Sequence, residues 1–216
     1  MSLQPFDPQG EVTAYRLHLP HWRQPGVTYF LTTRLADSLP QAKLAEWHHE
    51  RECWLRARGC RTPADLETLP AKERRDFHRH FTAKFHAWLD AGFGACWLRR
   101  LDAAQTVAGA LRFFDGQRYA LGDFVVMPNH LHVLVTPAPD HELSDIVRSW
   151  KTFTARQING LLGRTGAFWQ AETYDHIVRD EEQLAHYRRY IADNPAKANL
   201  RAGEYLVGGS SQSREP

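Results

Sequence analysis

The 216 residues carry 27 Lys and Arg against 25 Asp and Glu, a formal charge of +2 that neither demands nor excludes a nucleic-acid partner. With 43% hydrophobic and 24% charged residues the composition excludes a disordered or fibrous chain, and the length suits one well-buried domain with an insertion. Cys53, Cys60 and Cys96 form no CxxC pair, which argues against a disulfide framework and a cysteine-type zinc site and fits a reducing cytoplasm. No run of about twenty apolar residues and no leader pattern is present, so neither a membrane span nor secretion is expected.

In chain order, Tyr29 to Leu35 is β-branched and aromatic after Pro25-Gly26 and reads as a first strand. Leu44, Trp47, Trp54 and Leu55 recur at helical spacing from Gln41 to about Gly59, as do Phe77, Phe81, Phe85 and Trp88 from Lys72 to Leu89. The basic blocks Arg56, Arg58, Arg61 and Lys72, Arg74, Arg75, Arg79 are mixed with acids, as on solvated helix faces. A helix from Ala103 to Phe114, strands from Tyr119 to Met127 and His130 to Thr136, and a long helix from Leu143 to Leu162 follow. Phe168 to Val178 reads as an irregular strand, and Asp180 can cap a helix that starts at Glu181 and runs to the Asn194-Pro195 boundary. This order predicts an α+β, ferredoxin-like (split βαβ) sandwich with an antiparallel sheet and helices on one face. The expected domain covers 1–207 with a helical insertion at about 42–92, ahead of a disordered tail at 208–216.

His130-Leu131-His132 lies in one of these strands, where residues i and i+2 share a face, so both imidazoles can converge on one ion. His78-Arg79-His80 has the same spacing within a predicted helix, where the rings diverge by about 200°. These two, with His48, His49 and His86, are therefore expected on the surface. On the C-terminal helix, His186, Tyr190 and Asn194 are spaced i, i+4, i+8 along one stripe. Leu184, Tyr187 and Ile191 form the neighbouring, core-facing stripe, so Tyr190 lies at its edge and Tyr187 is the structural tyrosine.

Several motifs complete the pattern: Met127-Pro128-Asn129-His130-Leu131-His132, Trp150-Lys151 with Phe153-Thr154, Phe168-Trp169-Gln170 with Tyr174-Asp175-His176-Ile177-Val178-Arg179-Asp180, and Arg189-Tyr190-Ile191 with Asn194-Pro195-Ala196-Lys197-Ala198. In this combination and order the chain resembles REP-associated tyrosine transposases, relatives of insertion sequence 200-like transposases among the His-hydrophobic-His (HUH) nucleases. The resemblance covers about 15–40 and 105–205. It implies that His130 and His132 are metal ligands, that Asn194 is a third, amide-type ligand, that Tyr190 is the nucleophile, and that the ion is Mg²⁺ or Mn²⁺. By donor softness alone two imidazoles would also accept zinc or nickel.

The implied reaction is cleavage and rejoining of single-stranded or hairpin DNA through a 5′-phosphotyrosine link, which needs no nucleotide cofactor because one ester replaces another. Candidate DNA-binding cations are Arg148, Lys151, Arg156, Arg179, Arg188, Arg189 and Lys197; of these Lys151, Arg179 and Lys197 fall inside the family motifs. Trp169 reads as a core residue rather than a stacking platform. Two rival readings stay open at this level: a hairpin-binding module that does not cut, and a small-phosphoester hydrolase using water. Monomer and homodimer are both compatible, and in a dimer Tyr190 could serve the partner's metal.

Overall fold

The computed structural model describes residues 2–10, 13–16 and 20–209. It divides into two compact units, one formed by Met1–Ala36 and Cys96–Pro216 and the other by Asp37–Ala95.

The first unit starts with a two-stranded antiparallel hairpin, β1 (Thr13–Arg16) and β2 (Pro20–Arg23), which sequence patterning did not reveal. The main sheet uses β3 (Tyr29–Arg34), β4 (Tyr119–Val126), β5 (His130–Pro137), β6 (Tyr174–Ile177) and β7 (Leu206–Gly208) in the order β6-β3-β5-β4-β7. Every pairing is antiparallel. Helices α3 (Leu101–Phe113) and α4 (Leu143–Leu161) make the two crossovers. Strand, helix, hairpin, helix, strand with the fourth strand beside the first is the ferredoxin-like order read from the sequence.

Strand alternation sorts the core into two layers. Leu31, Leu35, Leu121, Val133 and Val135 face one way and bury against Val107, Ala108 and Leu111 of α3 and Ile146, Trp150 and Ile158 of α4. There the Tyr119 hydroxyl donates to the Leu111 carbonyl at 2.8 Å and accepts from Trp150 Nε1 at 3.0 Å, so both polar tips are satisfied inside the core. Phe30, Val125, Met127 and Leu134 face the other way, against Leu184 and Ile191 of α5 (Glu181–Lys197). Each large side chain buried in this way stabilises the fold by about 1.5–3 kcal/mol. The two crossover helices thus share one face, as expected, while α5, an addition to the six-element unit, covers the other.

Asp180 caps α5 by accepting from the Gln183 N–H at 2.7 Å. The helix does not stop at Asn194-Pro195 as expected. Pro195 lies inside its last turn, where a single missing donor is tolerated, and the Ala198 N–H still reaches the Asn194 carbonyl at 3.0 Å. At the chain end, Gly208 belongs to β7 instead of opening a tail, whereas 210–216 lie outside the described residues. Among the described residues no helix is long and apolar enough to cross a membrane.

The second unit contains the helical stretch anticipated at about 42–92: α1 (Gln41–Arg56) and α2 (Ala71–Asp90) close on Leu55, Phe77 and Phe81, and Trp47 Nε1 donates to the Phe81 carbonyl at 3.2 Å. Arg58 pairs with Glu73 at 2.7 Å and Arg79 with Asp76 at 2.6 Å, while Arg61, Lys72 and Arg75 are exposed, as the reading of solvated faces predicts. His48, His49, His78 and His80 are exposed. His86 departs from the expectation of a surface residue: it is half-buried, and desolvation pushes its pKa down to about 4. The unfolded chain therefore takes up a proton below pH 6.5 that the folded chain refuses until about pH 4, so stability is lost as pH falls through this window. His86→Leu is expected to flatten the dependence of Tm on pH between 4 and 6.5, as measured by thermal melts at stepped pH.

Candidate active site

The site is built on the sheet face covered by α5. The turn Met127-Pro128-Asn129 is pinned by the Met127 N–H donating to the His130 carbonyl at 2.8 Å and by the Leu35 N–H donating to the Asn129 carbonyl at 2.9 Å. Strand β5 therefore starts in register at His130. His130 and His132 are 1% and 0% exposed, share one face, and bring their Nε2 atoms to 3.1 Å of each other.

Both rings are held from behind through Nδ1. Asn129 Oδ1 can only accept, so His130 Nδ1–H donates to it at 2.8 Å, and neutral His130 presents a lone pair at Nε2. For two neutral rings the proton between the Nε2 atoms then belongs to His132, and the Thr32 hydroxyl donates to His132 Nδ1 at 2.8 Å. Rotating that hydroxyl so that it accepts moves the His132 proton to Nδ1 and turns both Nε2 lone pairs inward. Two imidazoles so oriented by outer hydrogen bonds form a donor pair suited to a divalent cation.

Tyr190 meets this pair from α5. Its ring lies 5.1 Å from the His132 ring at an interplanar angle of 73°, and the Lys197 ammonium sits over it at 5.3 Å from the centroid. Tyr187 stacks on Phe30 at 4.2 Å, and burial raises its phenol pKa well above the ordinary value, as suits the structural tyrosine. One turn beyond Tyr190, Asn194 is 0% exposed, and neither its amide oxygen nor its amide nitrogen has a hydrogen-bond partner among the described residues. A buried amide left open in this way costs about 1–3 kcal/mol unless something else satisfies it. His186, at the other end of the stripe, is exposed. Among the described residues no group of three His, Cys, Asp or Glu is arranged for a metal.

The predicted DNA-binding cations are spread unevenly around this centre. Of these, Lys197 stands against the tyrosine. Arg156, Arg179 and Arg189 are exposed, Arg148 pairs with Asp145 at 2.6 Å, and Arg188 pairs with Asp123 at 3.2 Å. Lys151 is directed into the chain: its ammonium donates to the Gln170 and Ala171 carbonyls at 2.6 and 2.7 Å, and burial, with Arg34 nearby, pushes its pKa down to about 8. Thr154 accepts from Trp169 Nε1 at 2.8 Å. The Trp150-Lys151 and Phe153-Thr154 motif therefore staples α4 to the segment leading into β6, with Trp169 in the core as expected.

Sequence reasoning missed four contributors: Phe30, Thr32 and Arg34 on β3, and Asn129 in the turn. Arg34 pairs in register with His130, is 9% exposed, and has its guanidinium pKa lowered by burial. Alternation along β3 puts it on the same face as Phe30 and Thr32. The missing signal was the pairing of β3 with β5, which lies about a hundred residues away in sequence.

Residues 111–194 match the family model "Transposase IS200 like". Over 33% of its length the chain is 29% identical to a candidate REP-associated tyrosine transposase of Haemophilus influenzae, and the match spans about half, 47%, of that relative. A solved structure of a REP-associated tyrosine transposase bound to a REP hairpin aligns with 82% of this chain and 71% of that one, at 17% identity and a TM-score of 0.44. A crystal structure of a candidate transposase from Deinococcus radiodurans aligns with 78% of this chain and 90% of that one, at 18% identity and a TM-score of 0.29. The family match takes in both histidines, Tyr190 and Asn194; over this segment the chain is similar to IS200-like transposases, and among them to a REP-associated tyrosine transposase.

Proposed function

We propose that this protein cuts and rejoins single-stranded DNA at hairpin-forming sequences by transesterification through Tyr190, with Mg²⁺ or Mn²⁺ held by His130, His132 and Asn194. The observation that carries this reading is the packing of the Tyr190 ring against His132, in a site whose two imidazole nitrogens face each other at 3.1 Å. The unpartnered amide of Asn194 one turn away is the further donor such an ion calls for.

His130, His132 and Asn194 would hold the divalent ion, which would supply Lewis acidity toward the scissile phosphate. Tyr190 supplies the nucleophile: its phenol oxygen forms the new P–O bond, loses its proton to solvent, and displaces the 3′-oxygen, which leaves as a 3′-hydroxyl. The downstream strand stays attached as a 5′-phosphotyrosine. Attack by a 3′-hydroxyl on that ester reverses the step and rejoins DNA without an energy source. His132 holds the face against which the tyrosine ring packs. Arg34 adds a buried positive charge beside His130, and Lys197 adds one beside the phenol, where the phosphate must lie for in-line attack. The packing of the Tyr190 ring on His132 of the same chain supports a site built in cis.

The test is to incubate the protein with Mn²⁺ and a 3′-end-labelled hairpin oligonucleotide. Label that stays on the protein through a denaturing gel is the expected result, since the 5′-phosphotyrosine retains the 3′ fragment. Tight binding with no adduct and no cut strand would instead favour a hairpin-binding module, and phosphoester hydrolysis without DNA attachment would favour a hydrolase.

A further inference from the structure

Phe30 occupies the centre of the active-site face without being one of its reactive groups. Its backbone is fixed from both sides, paired with Leu134 on β5 and His176 on β6, and its side chain is 1% exposed. One ring meets three others. It lies nearly parallel to His132 (5.3 Å, 19°) and to Tyr187 (4.2 Å, 10°), and it meets Tyr190 edge-to-face (5.8 Å, 84°).

The metal-side ligand His132 and the nucleophile Tyr190 come from different elements, β5 and α5, and both touch this ring. We propose that Phe30 is a positioning residue that sets the orientation of Tyr190 relative to the His130–His132 pair, an inference that rests on the transesterification reading. All three ring pairs fix planes as well as distances, since aromatic pairs prefer stacked and edge-to-face geometries. Tyr187 and Tyr190 are three residues apart on α5, so gripping both fixes the rotation of the helix about its axis as well as its height over the sheet. Leu184 and Ile191 dock the same helix through apolar area, which is non-directional and does not define that rotation. Leucine at position 30 would keep much of the apolar volume and lose the plane. A displacement of the phenol by about 1 Å is enough to cost about 10²-fold in rate.

Two variants separate the ring from the docking. Phe30→Leu is expected to lower the single-turnover rate of adduct formation about 10–100-fold while hairpin affinity stays within about twofold. Leu184→Ala removes apolar area from the same helix and cluster and leaves all four rings in place; it is expected to lower Tm at least as much and the rate by less than about threefold. Equal rate losses at matched loss of Tm, or no rate loss in Phe30→Leu, would overturn the inference. If the wild-type protein forms no adduct, it is the transesterification reading that has failed, and the geometry is read directly by NMR. The cross-ring NOE between Tyr190 and His132 should then be present in wild type and in Leu184→Ala and lost in Phe30→Leu. Its persistence in Phe30→Leu overturns the positioning role.

Discussion

Tyr190→Phe is expected to eliminate the covalent DNA adduct and to lower strand cleavage by at least about 10³-fold, since the substitution removes the only atom asked to attack phosphorus. The ring that packs on His132 and under Lys197 is retained, so Tm, Mn²⁺ affinity and hairpin affinity should stay close to those of wild type. Tyr187→Phe is the matching control. Burial raises the Tyr187 phenol pKa, which makes its phenolate harder to form, and its ring serves to stack on Phe30, a contact phenylalanine preserves. Adduct formation should therefore survive in Tyr187→Phe and vanish in Tyr190→Phe, scored on the same denaturing gel. Adduct in Tyr190→Phe at the wild-type level would remove this residue from the chemistry.

The second large effect concerns the proposed ligands. His132→Ala removes one Nε2 donor and should lower cleavage by about 10²–10³-fold, because the Lewis-acid contribution is worth several kcal/mol and each 1.4 kcal/mol is tenfold. Thr32→Val leaves the ligand in place but removes the hydroxyl at its Nδ1, and should weaken Mn²⁺ binding by about 10–100-fold. Asn194 gives the more discriminating outcome. Its amide is buried with neither end hydrogen-bonded, so Asn194→Leu should raise the Tm of the protein measured in EDTA, by an amount corresponding to about 1–3 kcal/mol. The same variant should lose most of the Tm gain that Mn²⁺ gives the wild-type protein, since an ion stabilises only the state that binds it. Melts of both proteins in EDTA and in Mn²⁺ decide the matter. If Asn194→Leu is less stable in EDTA and keeps the full Mn²⁺ shift, the amide is structural and is not a ligand.

The sequence by itself determined the order of the ferredoxin-like unit, the pairing of His130 with His132 on one face, the cap at Asp180, and the separation of Tyr190 from Tyr187. These follow from periodicities of two and 3.6 residues and from cap chemistry, all local to a few turns of chain. Only the tertiary structure decided which groups meet across elements. The choice of sheet face for α5, the arrival of Phe30, Thr32 and Arg34 beside the histidines, the turning inward of Lys151 and the desolvation of His86 depend on contacts between distant segments. Local pattern carries no record of such contacts. Pro195 shows the converse: a local rule for ending a helix yields when one missing donor falls in a final turn whose remaining hydrogen bonds still close. The two histidines could thus be chosen from strand geometry alone, whereas the ring that links them to Tyr190 appeared only once β3 was paired with β5.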